Sequence, residues 1–305
     1  MLFRSLRGHE KPVRSAAYSP DGAHIVTASD DNTVRVWDAV NGQQIAVLRG
    51  HEKPVRSAAY SPDGKRIVTA SFDSTARVWD TASGQQIALL RGHEALVHSA
   101  AYSPDSKRTV TASDDNTARI WDAASGQQIA VLRGHEKSVW SAAYSPDGTH
   151  IVTASFDNTA RVWDAASGQQ IAVLRGHEKP VHSAAYSPDG KRITTASFDN
   201  TARVWDAANG QQIALLHGHK DSVHSAAYSP DGARIVTASD DNTARIWNVR
   251  FASMSTRQLL TEVCTRRLRG LSKLTAFEIE LIGYVGHAPE IDVCGDLGTD
   301  KDARR

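Results

Sequence analysis

A histidine, a hydroxyl residue and an aspartate recur together along this chain, the set that general-base activation of a nucleophile requires. The sets are His9, Thr27 and Asp31; His51, Thr69 and Asp73; His93, Thr111 and Asp115; His135, Thr153 and Asp157; His177, Thr195 and Asp199; and His219, Thr237 and Asp241. A tryptophan keeps step with each, at Trp37, Trp79, Trp121, Trp163, Trp205 and Trp247. Catalysis needs one exposed nucleophile beside an oxyanion hole, and a set repeated six times with a tryptophan does not meet that need. Recurrence points to a buried hydrogen-bond chain in which each polar group finds a partner: Trp37 donates to Thr27 or Ser29, and His9 bridges to Asp31. No catalytic residue is assigned.

The elements that hold these sets follow from the period. Gly-His pairs begin at Gly8, Gly50, Gly92, Gly134, Gly176 and Gly218, 42 residues apart without a slip, and Trp-Asp follows in register until Trp247-Asn248. Periods of this size mark solenoids or propellers, and short β-rich runs separated by Ser-Pro-Asp-Gly and Asp-Asn exclude helical repeats. In the second unit the predicted strands are Val55–Ser61, Arg66–Ser71, Thr75–Trp79 and Gln85–Leu90. Pro62-Asp63-Gly64 supplies the turn between the first two, and the small Ser57, Ala58 and Ala59 suit a crowded position near an axis. The 305 residues suffice for one large repeat domain plus an appendage. Lys+Arg 35 against Asp+Glu 34 leaves a net charge of +1, so no global field draws the chain to nucleic acid or an anionic membrane. No run reaches signal-peptide or membrane-spanning length, and the expected location is cytoplasmic. Cys264 and Cys294 both lie outside the repeats, so no disulfide framework holds the fold.

Gly-His, Ser-Pro-Asp-Gly, Thr-Ala-Ser-x-Asp and Trp-Asp, in that order and six times over, resemble the WD-repeat β-propeller family. The resemblance implies an all-β, six-bladed propeller of four-stranded antiparallel blades over residues 1–250. It also implies that each repeat supplies the outer strand of one blade and the three inner strands of the next. Leu2–Leu6 precedes Arg7-Gly8-His9 as Ala46–Leu48 precedes Arg49-Gly50-His51, so the amino terminus is expected to close the ring as the outer strand of the sixth blade. Closure removes exposed strand edges.

Residues 50–91 and 176–217 differ at only six of 42 positions, which gives the remaining differences meaning. One variable register, at the start of the innermost strand, reads Arg14, Arg56, His98, Trp140, His182 and His224. Two residues earlier it reads Pro12, Pro54, Leu96, Ser138, Pro180 and Ser222. A third, before the turn aspartate, reads Asp30, Phe72, Asp114, Phe156, Phe198 and Asp240. In a propeller these emerge on one face around the channel mouth, and exposed aromatics among Arg and His are the anchors of protein- and peptide-binding surfaces. The expected partner is therefore a protein or peptide, bound without a cofactor by a monomer. Nucleic acid is not expected, because Asp interrupts the small Arg14–Arg56 patch. The opposite face, with Lys65-Arg66 and its equivalents, reads as solvated charge. His98, His182 and His224 near Asp30, Asp114 and Asp240 invite a metal reading, but no compact ligand spacing of the zinc type occurs and none is assigned.

After Asn248 the composition shifts. Ser255-Thr256-Arg257-Gln258 and Thr275-Ala276-Phe277-Glu278 predict two short helices within a tail spanning 251–305, loosely ordered from 290. Val263-Cys264, Leu274-Thr275-x-x-Glu278 and Val293-Cys294 resemble tails that follow WD repeats in bacterial STAND-class signalling proteins. That resemblance implies a sensor propeller, or the C-terminal remnant of a larger signalling ATPase, although no phosphate-binding loop is present. The primary reading is a non-catalytic interaction scaffold or sensor; the remnant, and a small-molecule or metal site at the channel mouth, stand as alternatives.

Overall fold

A computed structural model describes residues 5–250, and every β-rich run within them is a strand. The strands make six antiparallel sheets in chain order, five of four strands and a last one of three among the described residues. In the first blade β1 (Val13–Tyr18), β2 (His24–Ser29), β3 (Val34–Asp38) and β4 (Gln44–Leu48) pair in sequence, with Ala16 opposite Thr27 and Val26 opposite Val36. In the second blade the strands are Val55–Tyr60, Arg66–Ser71, Thr75–Asp80 and Gln86–Arg91, each within a residue of the expected bounds.

Innermost strands of successive blades lie beside one another from the first blade to the sixth. Their small residues allow this: the Ala58 N–H donates to Ser15 Oγ at 3.1 Å, and Ala100 and Ala184 repeat the bond to Ser57 and Ser141. Apolar packing lies between blades. At the junction of blades 3 and 4, Val110, Ala112, Ala118, Ile120 and Leu132 meet Val139, Ala142, Ile151 and Trp163, all buried. A fully buried Val, Leu or Ile contributes about 1.5–3 kcal/mol, so the junctions rather than isolated sheets carry the stability.

Local chemistry explains the fixed residues. A Cβ at Gly50 would stand 3.3 Å from the Trp79 ring and press on the Arg77 guanidinium, which is why glycine precedes the histidine. The turn between the first two strands needs a left-handed residue, supplied by Gly64 at φ 70° and, in the third blade, by Ser106 at φ 60°.

The seam between the sixth and first blades differs from the five junctions. Val13, Ala16 and Tyr18 on blade 1 and Val236, Ala238, Ala244 and Ile246 on blade 6 are exposed, whereas their equivalents elsewhere are buried or, for Tyr144, Tyr186 and Tyr228, half-buried. The expected closure is not made by the described residues: Ser5 and Leu6 belong to no strand, and residues 2–4 of the closing segment lie outside the described residues. The two tail helices expected within 251–305 also lie outside them.

Candidate functional site

In every blade the tryptophan Nε1–H donates to the threonine Oγ1 at 2.8–2.9 Å, the threonine hydroxyl meets histidine Nε2 at 2.7–2.8 Å, and histidine Nδ1 meets aspartate Oδ2 at 2.7–2.8 Å. Ser29, the other acceptor considered for Trp37, instead donates to the Lys11 carbonyl and accepts the Asp31 N–H. With Nδ1 protonated, each neutral histidine donates to the carboxylate and accepts from the hydroxyl, so the chain of bonds is self-consistent. Burial pushes the Asp73, Asp115, Asp157 and Asp199 carboxyls up. Hydrogen bonds from the histidine, the neighbouring threonine and a backbone N–H outweigh it and hold them below the usual carboxylate range. Burial lowers His93, His135 and His177 against the opposing aspartates. A threonine buried under its tryptophan has no access to a substrate.

The three variable registers do meet at one end of each blade. The backbone N–H of Asp30, Phe72, Asp114, Phe156, Phe198 and Asp240 donates at 2.9–3.0 Å to the carbonyl of Pro12, Pro54, Leu96, Ser138, Pro180 and Ser222. Between them, Arg14, Arg56, His98, Trp140, His182 and His224 each occupy a register shift in the innermost strand. A bulge residue is released from the ladder and its side chain re-aimed, which accounts for a variable position inside an otherwise invariant strand.

Two kinds of blade result. Arg14 pairs with Asp30, His98 Nε2 meets Asp114 at 2.7 Å, and His224 Nε2 meets Asp240 at 2.7 Å. In the other three blades phenylalanine replaces aspartate and the bulge residues join a continuous aromatic band. Trp140 stacks on His98 at 4.5 Å and on Phe156 at 4.8 Å, and leans on His182 at 4.5 Å. Phe72 meets His98 at 5.6 Å; Phe198 meets Phe156, His182 and His224 at 5.8, 5.5 and 5.2 Å. The Arg56 guanidinium lies over Phe72 at 5.7 Å and Trp140 at 5.9 Å, and makes no hydrogen bond or ion pair to a carboxylate among the described residues. Phe72, Trp140, Phe156, His182 and Phe198 are half-buried and His98 is buried, not freely exposed as expected, because they cover one another. Burial, then the fields of His224, Arg56 and His98, pull His182 down to about 4 against its hydrogen bond to the His224 carbonyl. The three histidines do not converge: Trp140 stands between His98 and His182. Among the described residues no group of three or more His, Cys, Asp or Glu is placed to hold a metal ion.

The model of the WD domain, G-beta repeat family matches residues 1–38, 42–80, 84–122, 126–164, 168–206 and 210–248, one segment per tryptophan of the network. The chain belongs to the WD-repeat family. Single repeats resemble those of curated proteins: 51% identity over 39 residues with Ribosome biogenesis protein ERB1 of Chaetomium thermophilum, 13% of this chain and 5% of that one. Ribosome assembly protein 4 of Saccharomyces cerevisiae is 46% identical over 41 residues, 13% of this chain and 8% of its own. Periodic tryptophan protein 2 of Saccharomyces cerevisiae is 50% identical over 36 residues, 12% of this chain and 4% of its own. The chain thus spans less than a tenth of these relatives.

The opposite mouth of this WD-repeat domain holds what the residue types alone had not marked. A cavity of about 550 Å³ is lined there by Tyr102, Tyr144, Tyr186 and Tyr228 with prolines of the Ser-Pro turns. The tyrosines are identical in every copy, so internal variation gave no signal for them. The cationic register on this face is also more than solvated charge. Arg108 donates to the Ala165 carbonyl at 3.1 Å and Arg192 to the Gly232 carbonyl at 2.9 Å, each reaching the next blade, and Arg192 covers the Tyr228 ring at 5.5 Å.

Proposed function

We propose that this protein is a non-catalytic scaffold that binds a protein or peptide segment on the face bearing the variable registers, Arg56 and the Phe72–His98–Trp140–Phe156–His182–Phe198 band forming its centre. The observation that carries the reading is the band itself: one connected aromatic surface built from the bulge residues His98, Trp140 and His182 and the turn residues Phe72, Phe156 and Phe198, registers that differ between otherwise near-identical blades. Aromatic and arginine residues dominate binding energy at interfaces, and Arg56 keeps its charge-pairing capacity because its neighbours are rings. An acidic segment with an aromatic or aliphatic anchor fits: its carboxylate pairs with Arg56 and its apolar side chain covers Phe72 or Phe198. The likeness to ribosome biogenesis and assembly proteins supports a scaffold role and, resting on single repeats, carries no particular partner.

The test is selection of peptides from a random display library on the full chain, followed by competition with an Arg56→Glu variant. Acidic, aromatic-containing peptides that the variant no longer holds are the expected result. Peptides that bind both proteins equally overturn the assignment of this face.

A further inference from the structure

Arg14 and Arg56 stand at the same register of two near-identical blades and have opposite surroundings. Residues 8–22 and 50–64 are identical in sequence. The backbone around both arginines is also the same: each occupies the register shift of its innermost strand, and the N–H of Asp30 and of Phe72 donates at 3.0 Å to the carbonyl of Pro12 and of Pro54. The turn side chain makes the difference. Arg14 Nε donates to both Asp30 carboxylate oxygens, at 2.9 and 2.8 Å, whereas the Arg56 guanidinium lies over the Phe72 ring.

The same rule runs round the face. Where the turn residue is aspartate, the bulge residue of that blade is paired within the chain: Arg14 with Asp30, His98 with Asp114, His224 with Asp240. Where it is phenylalanine, Arg56, Trp140 and His182 make no such pair among the described residues and meet rings instead. Of these three only Arg56 offers a positive charge, since Trp140 has none and His182, pulled down by burial to about 4, is neutral at pH 7. Burial, then the field of Arg14, work against the charge on the half-buried Arg56, and an opposite charge brought to it is stabilising. The neighbouring blades restrict what can bring that charge. Asp30 is neutralised by Arg14, but the His98 paired with Asp114 titrates below its ordinary value, chiefly through burial, and leaves that carboxylate uncompensated at pH 7. A second acid beside the first would meet Asp114 and no free cation.

We infer that Arg56 is the receptor for one carboxylate of the partner, an aspartate or glutamate side chain that stands to Arg56 as Asp30 stands to Arg14, and that its surroundings admit no second acid. The inference rests on the variable face being the binding surface and adds the ligand chemistry at one position: a single acid, with uncharged residues over Trp140, Phe156 and Phe198. The turn register is then a switch, in which phenylalanine leaves the arginine open and aspartate closes it from within.

Peptides selected by display on the full chain test this when synthesised in three forms: with the acid as glutamate, with glutamine in its place, and with a second glutamate beside it. Each is titrated by isothermal calorimetry into the wild type, Phe72→Asn and Phe72→Asp. The two substitutions remove the same ring and differ by one charge. Blade 1 carries aspartate at this turn, so the fold accepts it, and the thermal midpoint checks that it does. On the wild type the glutamine form is expected to bind weaker by at least about tenfold, and the two-acid form weaker than the one-acid form. Phe72→Asn should keep the preference for glutamate over glutamine at reduced affinity. Phe72→Asp should lose it, because its own carboxylate holds Arg56. Equal binding of the glutamate and glutamine forms to the wild type overturns the inference, as does a glutamate preference that survives Phe72→Asp, tighter binding of the two-acid form, or a selection that yields no acidic peptide. Phe156→Ala in parallel separates this from failure of the face itself. Peptides that it holds as tightly as the wild type does bind elsewhere and bring down the face; peptides that it loses, but that show no glutamate preference, leave the face standing and remove Arg56 as the receptor.

Discussion

Replacing Asp157 by alanine isolates the repeated network in one interior blade. Its carboxylate accepts from His135 Nδ1 at 2.7 Å, the Thr159 hydroxyl at 2.6 Å, the Thr159 N–H at 3.0 Å and the Glu136 N–H at 3.2 Å. The Glu136 residue is exposed, so water replaces that bond, and the Thr159 hydroxyl has the His135 ring 3.5 Å away as another partner. The buried His135 Nδ1–H is left only that hydroxyl oxygen, at the limit of hydrogen-bond distance, because its other nitrogen is held by Thr153. A buried donor left unsatisfied costs about 1–3 kcal/mol and loss of a charged acceptor sits at the upper end, which with the weakened turn gives about 3 kcal/mol. At about 2–4 °C per kcal/mol for a domain of this size, the thermal midpoint should fall by about 6–12 °C. Differential scanning calorimetry and urea titration check this beside Asp164→Ala, whose three donors lie in an exposed surface turn and should return to water with little effect. Peptide binding at 20 °C should persist. An Asp157→Ala protein that melts like the wild type but has lost its ligand would refute the structural role of the repeated set.

Three further outcomes follow from the same geometry. Stability should be flat from about pH 7 to 9 and decline as pH falls below about 6.5: His93, His98, His135, His177 and His182 titrate lower folded than unfolded, so the unfolded state binds more protons there, and the depressed aspartates add a steeper loss below about 4. A urea midpoint unchanged from pH 7 to 5 would contradict it. Trp140→Ala should cost about 3 kcal/mol, since it removes three ring contacts of about 0.5–1.5 kcal/mol each and an Arg56 contact, and a melting curve like the wild type's would show the band to be loose in solution. Ser106→Gly should raise stability by about 0.5 kcal/mol, because relief of a left-handed serine exceeds the loss of its 3.2 Å bond from the Asp63 N–H; a destabilised variant would show that bond to dominate.

Strand positions, the six-fold period and the Trp–Thr–His–Asp chain were readable because each rests on local chemistry repeated in register. The common face of the variable registers was readable for the same reason: Asp30 and Pro12 sit at one end of a four-strand unit whatever the neighbouring blades do. What local pattern does not contain is curvature. Whether Val13 and Ile246 meet depends on small rotations summed over five junctions, and no residue encodes that sum. Mutual cover was equally hidden, since the stacking of Trp140 between His98 and Phe156 joins blades 3 and 4 at positions 42 residues apart. The tyrosine-lined mouth escaped because invariance among copies looks the same for packing and for function. Arg108 read as solvated charge because its acceptor, the Ala165 carbonyl, belongs to the following blade.

The variable face as binding surface is tested most directly by titrating a display-selected peptide into the wild type, Phe72→Ala, Phe156→Ala and, from the opposite face, Lys65→Ala by isothermal calorimetry. Truncating an aromatic anchor costs about 2 kcal/mol or more of binding energy, roughly a thirtyfold rise in Kd, so both phenylalanine variants should weaken by at least tenfold while Lys65→Ala binds as the wild type does. Normal binding by both phenylalanine variants together with lost binding by Lys65→Ala would place the site on the other mouth and contradict the account.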